Sequence, residues 1–164
     1  MEELALQIIE ALPTSLRRLT ADLTEEQLHR RPAPGQWSIV EITGHLIDKT
    51  EVWGERFRHI ATQNQPSLPA YDQDAWVRER GYQSQPFPAL AERLGGMLVA
   101  LAAELRVLPA DAWQRIGLHE ERGYLTLAEA CRIYAISLPE HVAQLVAARD
   151  LVVDARPSPP PLSQ

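Results

Sequence analysis

Apolar residues recur along this chain mostly in steps of three and four, the spacing that keeps one face of an α-helix against a core. Leu4, Ile8, Leu12, Leu16 and Leu19 predict a first amphipathic helix, with Pro13 inside it as an expected bend. Ile39, Ile42, Leu46, Trp53, Phe57 and Ile60 predict a second. Leu90, Leu94, Met97, Leu98, Leu101 and Leu105 predict a third, running on from Pro88. Leu127, Cys131, Tyr134, Leu138 and Leu145 predict a fourth, with Pro139 inside it. No segment shows a sustained period of two, so strands are not expected.

Local signals sharpen these boundaries. "SIVE" reads as a capping box, Ser38 at the N-cap and Glu41 three residues on, and "TLAE" repeats it with Thr126 and Glu129. Thr24 and Gln27 predict a short extra helix in "LTEEQLHRRP". Residues 63–88 carry Pro66, Pro69, Gly81, Pro86 and Pro88, and read as an irregular connection with one helical turn near 74–80. "LPADAW" reads as a turn, and "GLHEERGYL" as an extended loop. The pattern predicts an all-α protein, a four-helix bundle over residues 1–152 with a long connection between its second and third helices. Residues 153–164, rich in proline, are expected to be an extended or flexible tail.

Composition narrows the classes of function. The 164 residues suit one domain, 45% hydrophobic and 23% charged. Net charge is −6, and the basic residues, Lys49 and fifteen arginines, form no stripe. Phosphate affinity rests on clustered cations, so nucleic acid is not an expected partner. No apolar run reaches the length of a membrane span, and Glu2 and Glu3 leave no signal-peptide pattern. One cysteine, Cys131, excludes an internal disulfide and points to a reducing cytoplasm. On the apolar stripe it reads as a buried, inert thiol.

The candidate chemistry lies in histidines. His45 flanks the stripe of the second helix, and His141 sits on the shoulder of the fourth with Ser137 one turn before it. Such shoulders can converge at one end of a bundle, where metal sites are built, although a lone flanking histidine is more often a boundary residue. Asp48, three residues after His45, either orients its ring or is a solvated charge beside Lys49, the second being favoured. His119 and Glu120 either face the same bundle end or decorate a loop. His29 and His59 read as solvent-facing, and Glu41 as a cap.

Three stretches resemble the DinB-like family, four-helix bundles related to bacterial thiol-dependent transferases. "RRPAPGQWSIVEITGHLIDKTEVWGERF" carries a W-S-x-x-E-x-x-x-H-L-x-D pattern. "LHEERGYLTLAEA" resembles the approach to the fourth helix. "SLPEHVAQL" resembles an H-x-x-E-H-x-x-Q segment with Ser137 at the first histidine. The resemblance implies an antiparallel bundle, often a homodimer, and a three-histidine site for a divalent metal such as zinc or nickel. Position by position, the ligands fall on His45, Ser137 and His141. Serine is a poor ligand for either metal. Two readings follow. In the first, favoured by the missing ligand, the chain is metal-free or binds metal weakly, and His45, Ser137 and His141 form a polar pocket for a small organic ligand. In the second it is a metal-dependent S-transferase using a low-molecular-weight thiol. The small residues of "GGMLVALAAEL" suit either a dimer contact or core packing.

Overall fold

The computed structural model describes residues 2–154. Four long helices carry the fold: α1 (Glu2–Thr20), α3 (Ile39–Thr62), α5 (Phe87–Arg106) and α6 (Leu127–Asp154). Two short ones join them, α2 (Glu25–His29) and α4 (Gln73–Glu79). The expected caps form. Thr24 and Gln27, and Ser38 and Glu41, satisfy each other's backbone donors at the starts of α2 and α3. Thr126 and Glu129 do so at the start of α6. Both α1 and α6 continue through their prolines. Pro139 has no N–H to donate, so the Ala135 carbonyl lacks its usual helical partner. The expected tail lies almost wholly outside the described residues, and Val153 and Asp154 belong to α6.

Each long helix packs on two others, in the ring order α1, α5, α3, α6. Side-chain pairs fix the senses. His45 meets His141 and Phe57 meets Tyr134, so α3 and α6 run antiparallel. Glu10 meets Arg106 and Pro13 lies by Gly95, so α1 and α5 do too. Glu51 pairs with Arg93 and Arg58 with Glu104, which makes α3 and α5 parallel. The expected four-helix bundle is therefore present, with neighbours of both senses. Parallel neighbours explain the long connection, because residues 63–86 must return along the bundle before α5 can start.

A small sheet, which the sequence pattern did not predict, sits at one end. Strand β1 (Ser67–Leu68) pairs in parallel with β2 (Ile116–His119), which pairs antiparallel with β3 (Gly123–Thr126). "GLHEERGYL" is thus a hairpin, not a loop, and Gly123 takes a left-handed φ of 75° at its turn. Strands of four residues are too short to show a period of two. Gly117 lets β2 lie on α3, since a Cβ there would stand 2.9 Å from Ile60.

The apolar stripes form one core, with Ile9, Leu46, Phe57, Leu94, Tyr134 and Leu138 all buried. Leu4 is the exception, at 61% exposed. Helix α3 is enclosed along much of its length, and even Glu41, His45, Asp48, Thr50 and Arg56 are buried. Tyr82, in a single 3₁₀ turn (Tyr82–Ser84), packs against α3 at Gly44, where a Cβ would fall 2.2 Å from its ring. Gly44→Ala should therefore lose at least about 2 kcal/mol of stability through overpacking. Gly96→Ala, on an open helical surface, should gain about 0.5–1 kcal/mol. Urea denaturation of both variants checks this, and a Gly44→Ala protein as stable as the parent would refute the close approach.

Candidate functional site

His45 projects from the second turn of α3 and His141 from the middle of α6. Because the two helices are antiparallel, the imidazoles meet: Nε2 to Nε2 is 3.0 Å, and the rings lie 22° from parallel. His45 is buried, and its other neighbour is Trp37, with ring centroids 5.0 Å apart. Sequence alone placed both histidines beside the core, and their meeting is a fact of tertiary structure.

The hydrogen bonds assign the protons. His141 Nδ1 lies 2.7 Å from the Ser137 carbonyl, which can only accept, so Nδ1 carries the proton. Its Nε2 is then a bare acceptor and His45 Nε2 the donor. That leaves His45 Nδ1 bare, buried and without a partner among the described residues. Both imidazoles are held neutral. Burial, then the charges of His141 and Lys49, lower the pKa of His45 to about 3. Burial and Lys49 lower that of His141 as well.

Ser137 is near the pair but its hydroxyl donates to the Tyr134 carbonyl at 2.6 Å, along its own helix. Asp48 is neither solvated nor a partner of His45, and both expectations for it are corrected. It is fully buried, its Oδ1 accepting from the Tyr82 hydroxyl at 2.5 Å and pairing with Arg80 at 2.9 Å. Burial still raises its pKa, against the lowering effect of Tyr82 and Arg80. The partners come from 32 and 34 residues further along the chain, so no local spacing announced them.

His119 is not a loop decoration either. It is buried in β2, stacked on Trp53 at 5.9 Å, and its Nδ1 accepts from the Glu121 N–H. Glu120, beside it, accepts from the Ala70 N–H and ties the hairpin to the connection. His29 is half-buried and joins α2 to the Gln85 carbonyl rather than facing solvent, whereas His59 is exposed. Glu41 is a cap, also held by Arg31. Burial pushes the Cys131 thiol up to about 12, as suits an inert core residue.

A divalent metal fits this donor set poorly. Among the described residues no third His, Cys, Asp or Glu joins the pair in a metal-holding group. Ligation by both Nε2 atoms would force the His45 proton onto Nδ1, a buried position with no acceptor. The Lys49 ammonium, close enough to depress both histidines, opposes a second cation.

A family model for the DinB superfamily matches residues 8–145, and the chain belongs to that superfamily. It is similar to "Putative metal-dependent hydrolase YfiT" of Bacillus subtilis (strain 168), 26% identical over 144 residues, 85% of this chain and 79% of that protein. It is also similar to a protein of the same general name from Bacillus mycoides (strain KBAB4), 28% identical over 148 residues, 88% of this chain and 83% of that protein. The solved structure of B. subtilis YfiT, described as an unusual four-helix bundle topology, superposes with a TM-score of 0.81 at 22% identity, covering 90% of this chain and 85% of that one. That of a mycothiol-dependent maleylpyruvate isomerase superposes with 0.71 at 13% identity, covering 88% and 60%. At these identities the two structures establish the fold. No helix among the described residues is long and apolar enough to cross a membrane.

The neutral buried pair has a consequence for acid stability. On unfolding, each imidazole regains its ordinary pKa of about 6.5 and takes up a proton below it. The contribution of His45 is thus complete above about pH 6.5 and is lost as pH falls towards 3, by up to about 1.4 kcal/mol per pH unit, and the lowered pKa of His141 adds a loss in the same direction. In EDTA, the loss between pH 6.5 and 4.5 should be steeper for the parent protein than for His45→Gln. Equal slopes in urea melts would contradict a neutral buried His45.

Proposed function

We propose that this DinB-superfamily chain is a small-ligand-binding domain whose histidine pair works without a tightly held metal. The observation that carries it is the direct contact of His45 and His141 while the Ser137 hydroxyl is turned to its own helix. With the two Nε2 atoms engaged with each other, the acceptor left open at the pair is the bare His45 Nδ1, which suits a hydrogen-bond donor of an organic ligand rather than a cation beside Lys49. Ser137 lies one turn before His141 on α6, His119 lies on β2 away from the pair, and Asp48 anchors α3 to Tyr82 and Arg80. The single, buried cysteine supports a cytoplasmic setting.

A second reading is favoured by the two Nε2 atoms facing each other and by relatives named as metal-dependent hydrolases. In it, His45 and His141 are the two protein ligands of a weakly bound zinc or nickel, and a low-molecular-weight thiol is the co-substrate of an S-transferase. Such a metal would supply polarisation of a bound thiol or water.

Metal analysis separates the two. Protein purified without chelator should carry well under one zinc or nickel per chain, and Ser137→His should raise affinity for either at least about tenfold. Near-stoichiometric metal in the parent protein, lost in His45→Ala, would establish the second reading instead. The proposal includes a homodimer, supported by exposed Val99 beside open Gly96 on α5. Sedimentation should then give about twice the 18.4 kDa chain mass, and a monomer at micromolar concentration would remove that part.

A further inference from the structure

One to three turns along α3 from the histidine pair, a cleft of about 420 Å³ opens between α3, the start of α4 and the β2–β3 hairpin. Its α3 wall is Lys49, Trp53 and Arg56, which follow His45 at steps of four, four and three and so share one face of the helix. Tyr71, His119 and Arg122 complete the lining that matters here.

Three cations face this cleft in a protein whose net charge is −6. None of the ion pairs among the described residues uses Lys49, Arg56 or Arg122, although arginines elsewhere pair with carboxylates. Arg56 is the informative one. It is 6% exposed, lies over the Trp53 ring at 4.8 Å, and gives one Nη2 bond to the Pro69 carbonyl. Its Nε–H is buried with no acceptor among the described residues. A guanidinium normally finds a carboxylate or an equivalent set of acceptors when it is buried. His119 points the same way: its Nδ1 accepts from the Glu121 N–H, so its Nε2 carries a proton free to donate.

Two carboxylates also line the cleft. Asp72 is turned to the start of α4, where its Oδ1 accepts from the Ala75 N–H, and Glu121 is exposed. Among the lining side chains three cations stand against these two anions, with Glu140 also acting on Lys49 from α6, so Arg56 and Arg122 carry most of the positive field, and Trp53 and Tyr71 give the walls aromatic character.

We propose that this cleft is a binding subsite for the carboxylate of a small aromatic acid, held by Lys49, Arg56 and Arg122 with its ring against Trp53 and Tyr71. The subsite is separate from the histidine pair and stands whether or not that pair holds a metal.

Sodium benzoate is the probe, titrated calorimetrically into the full chain at low ionic strength, with benzamide as its uncharged counterpart. Benzoate should bind saturably at one per chain and benzamide at least about tenfold more weakly, the difference expected for charge-assisted bonds. Arg122→Gln, at an exposed position, and Lys49→Gln should each weaken benzoate about tenfold, and Glu121→Gln should tighten it. His141→Gln should leave benzoate binding within about twofold, which keeps this test distinct from that of the pair. Absence of saturation, or Arg122→Gln and Lys49→Gln titrating like the parent, would overturn the subsite. Inorganic phosphate binding more tightly than benzoate would overturn the carboxylate assignment. Loss of benzoate binding in His141→Gln would place the ligand at the histidine pair and overturn the separation.

Discussion

Helix α3 is enclosed, and the rest of the molecule answers to that. It packs on α5 and α6, and on α4 and the Tyr82 turn. A buried polar group is tolerated only if something inside hydrogen-bonds to it. Asp48 draws in Tyr82 and Arg80, Thr50 takes Tyr134 at 2.8 Å, His45 takes His141, and Arg56 takes the Pro69 carbonyl. The buried side-chain atoms left without partners among the described residues are His45 Nδ1, Asp48 Oδ2 and Arg56 Nε, all on this one helix. The histidine pair and the basic cleft both lie along α3, where such satisfaction is incomplete.

Topology makes that enclosure possible. Since α3 and α5 run in the same direction, residues 63–86 must travel back along the bundle. On the way they deliver β1 to the hairpin, Tyr82 to Gly44 and Asp48, and Arg80 to Asp48 and Glu51. A tight turn between antiparallel helices would deliver none of these. The connection that looked irregular in sequence is the strap that closes α3 off from water.

The histidine pair and the cleft differ in chemistry although they share a helix. At the pair, burial and the Lys49 charge hold both rings neutral, which suits a dipolar partner. At the cleft, arginine remains charged at any pH the protein meets, which suits the anion proposed for it. Lys49 is common to both: its charge lowers the pKa of His45 and His141, and its side chain lines the cleft with Arg122.

The sequence by itself determined the helices, their caps and much of the core. Those depend on spacing of three and four and on contacts three residues apart, as at Ser38 with Glu41 and Thr126 with Glu129. It also marked His45 and His141 as boundary residues and Cys131 as core. Only the tertiary structure decided that the two imidazoles touch, that Ser137 turns away, and that Asp48 is buried beneath Tyr82. It also decided that the four residues from Ile116 to His119 form a strand. The imidazole contact and the burial of Asp48 rest on partners 96 and 34 positions away, where no local period reaches, and the first also on helix direction, which the hydrophobic pattern does not encode.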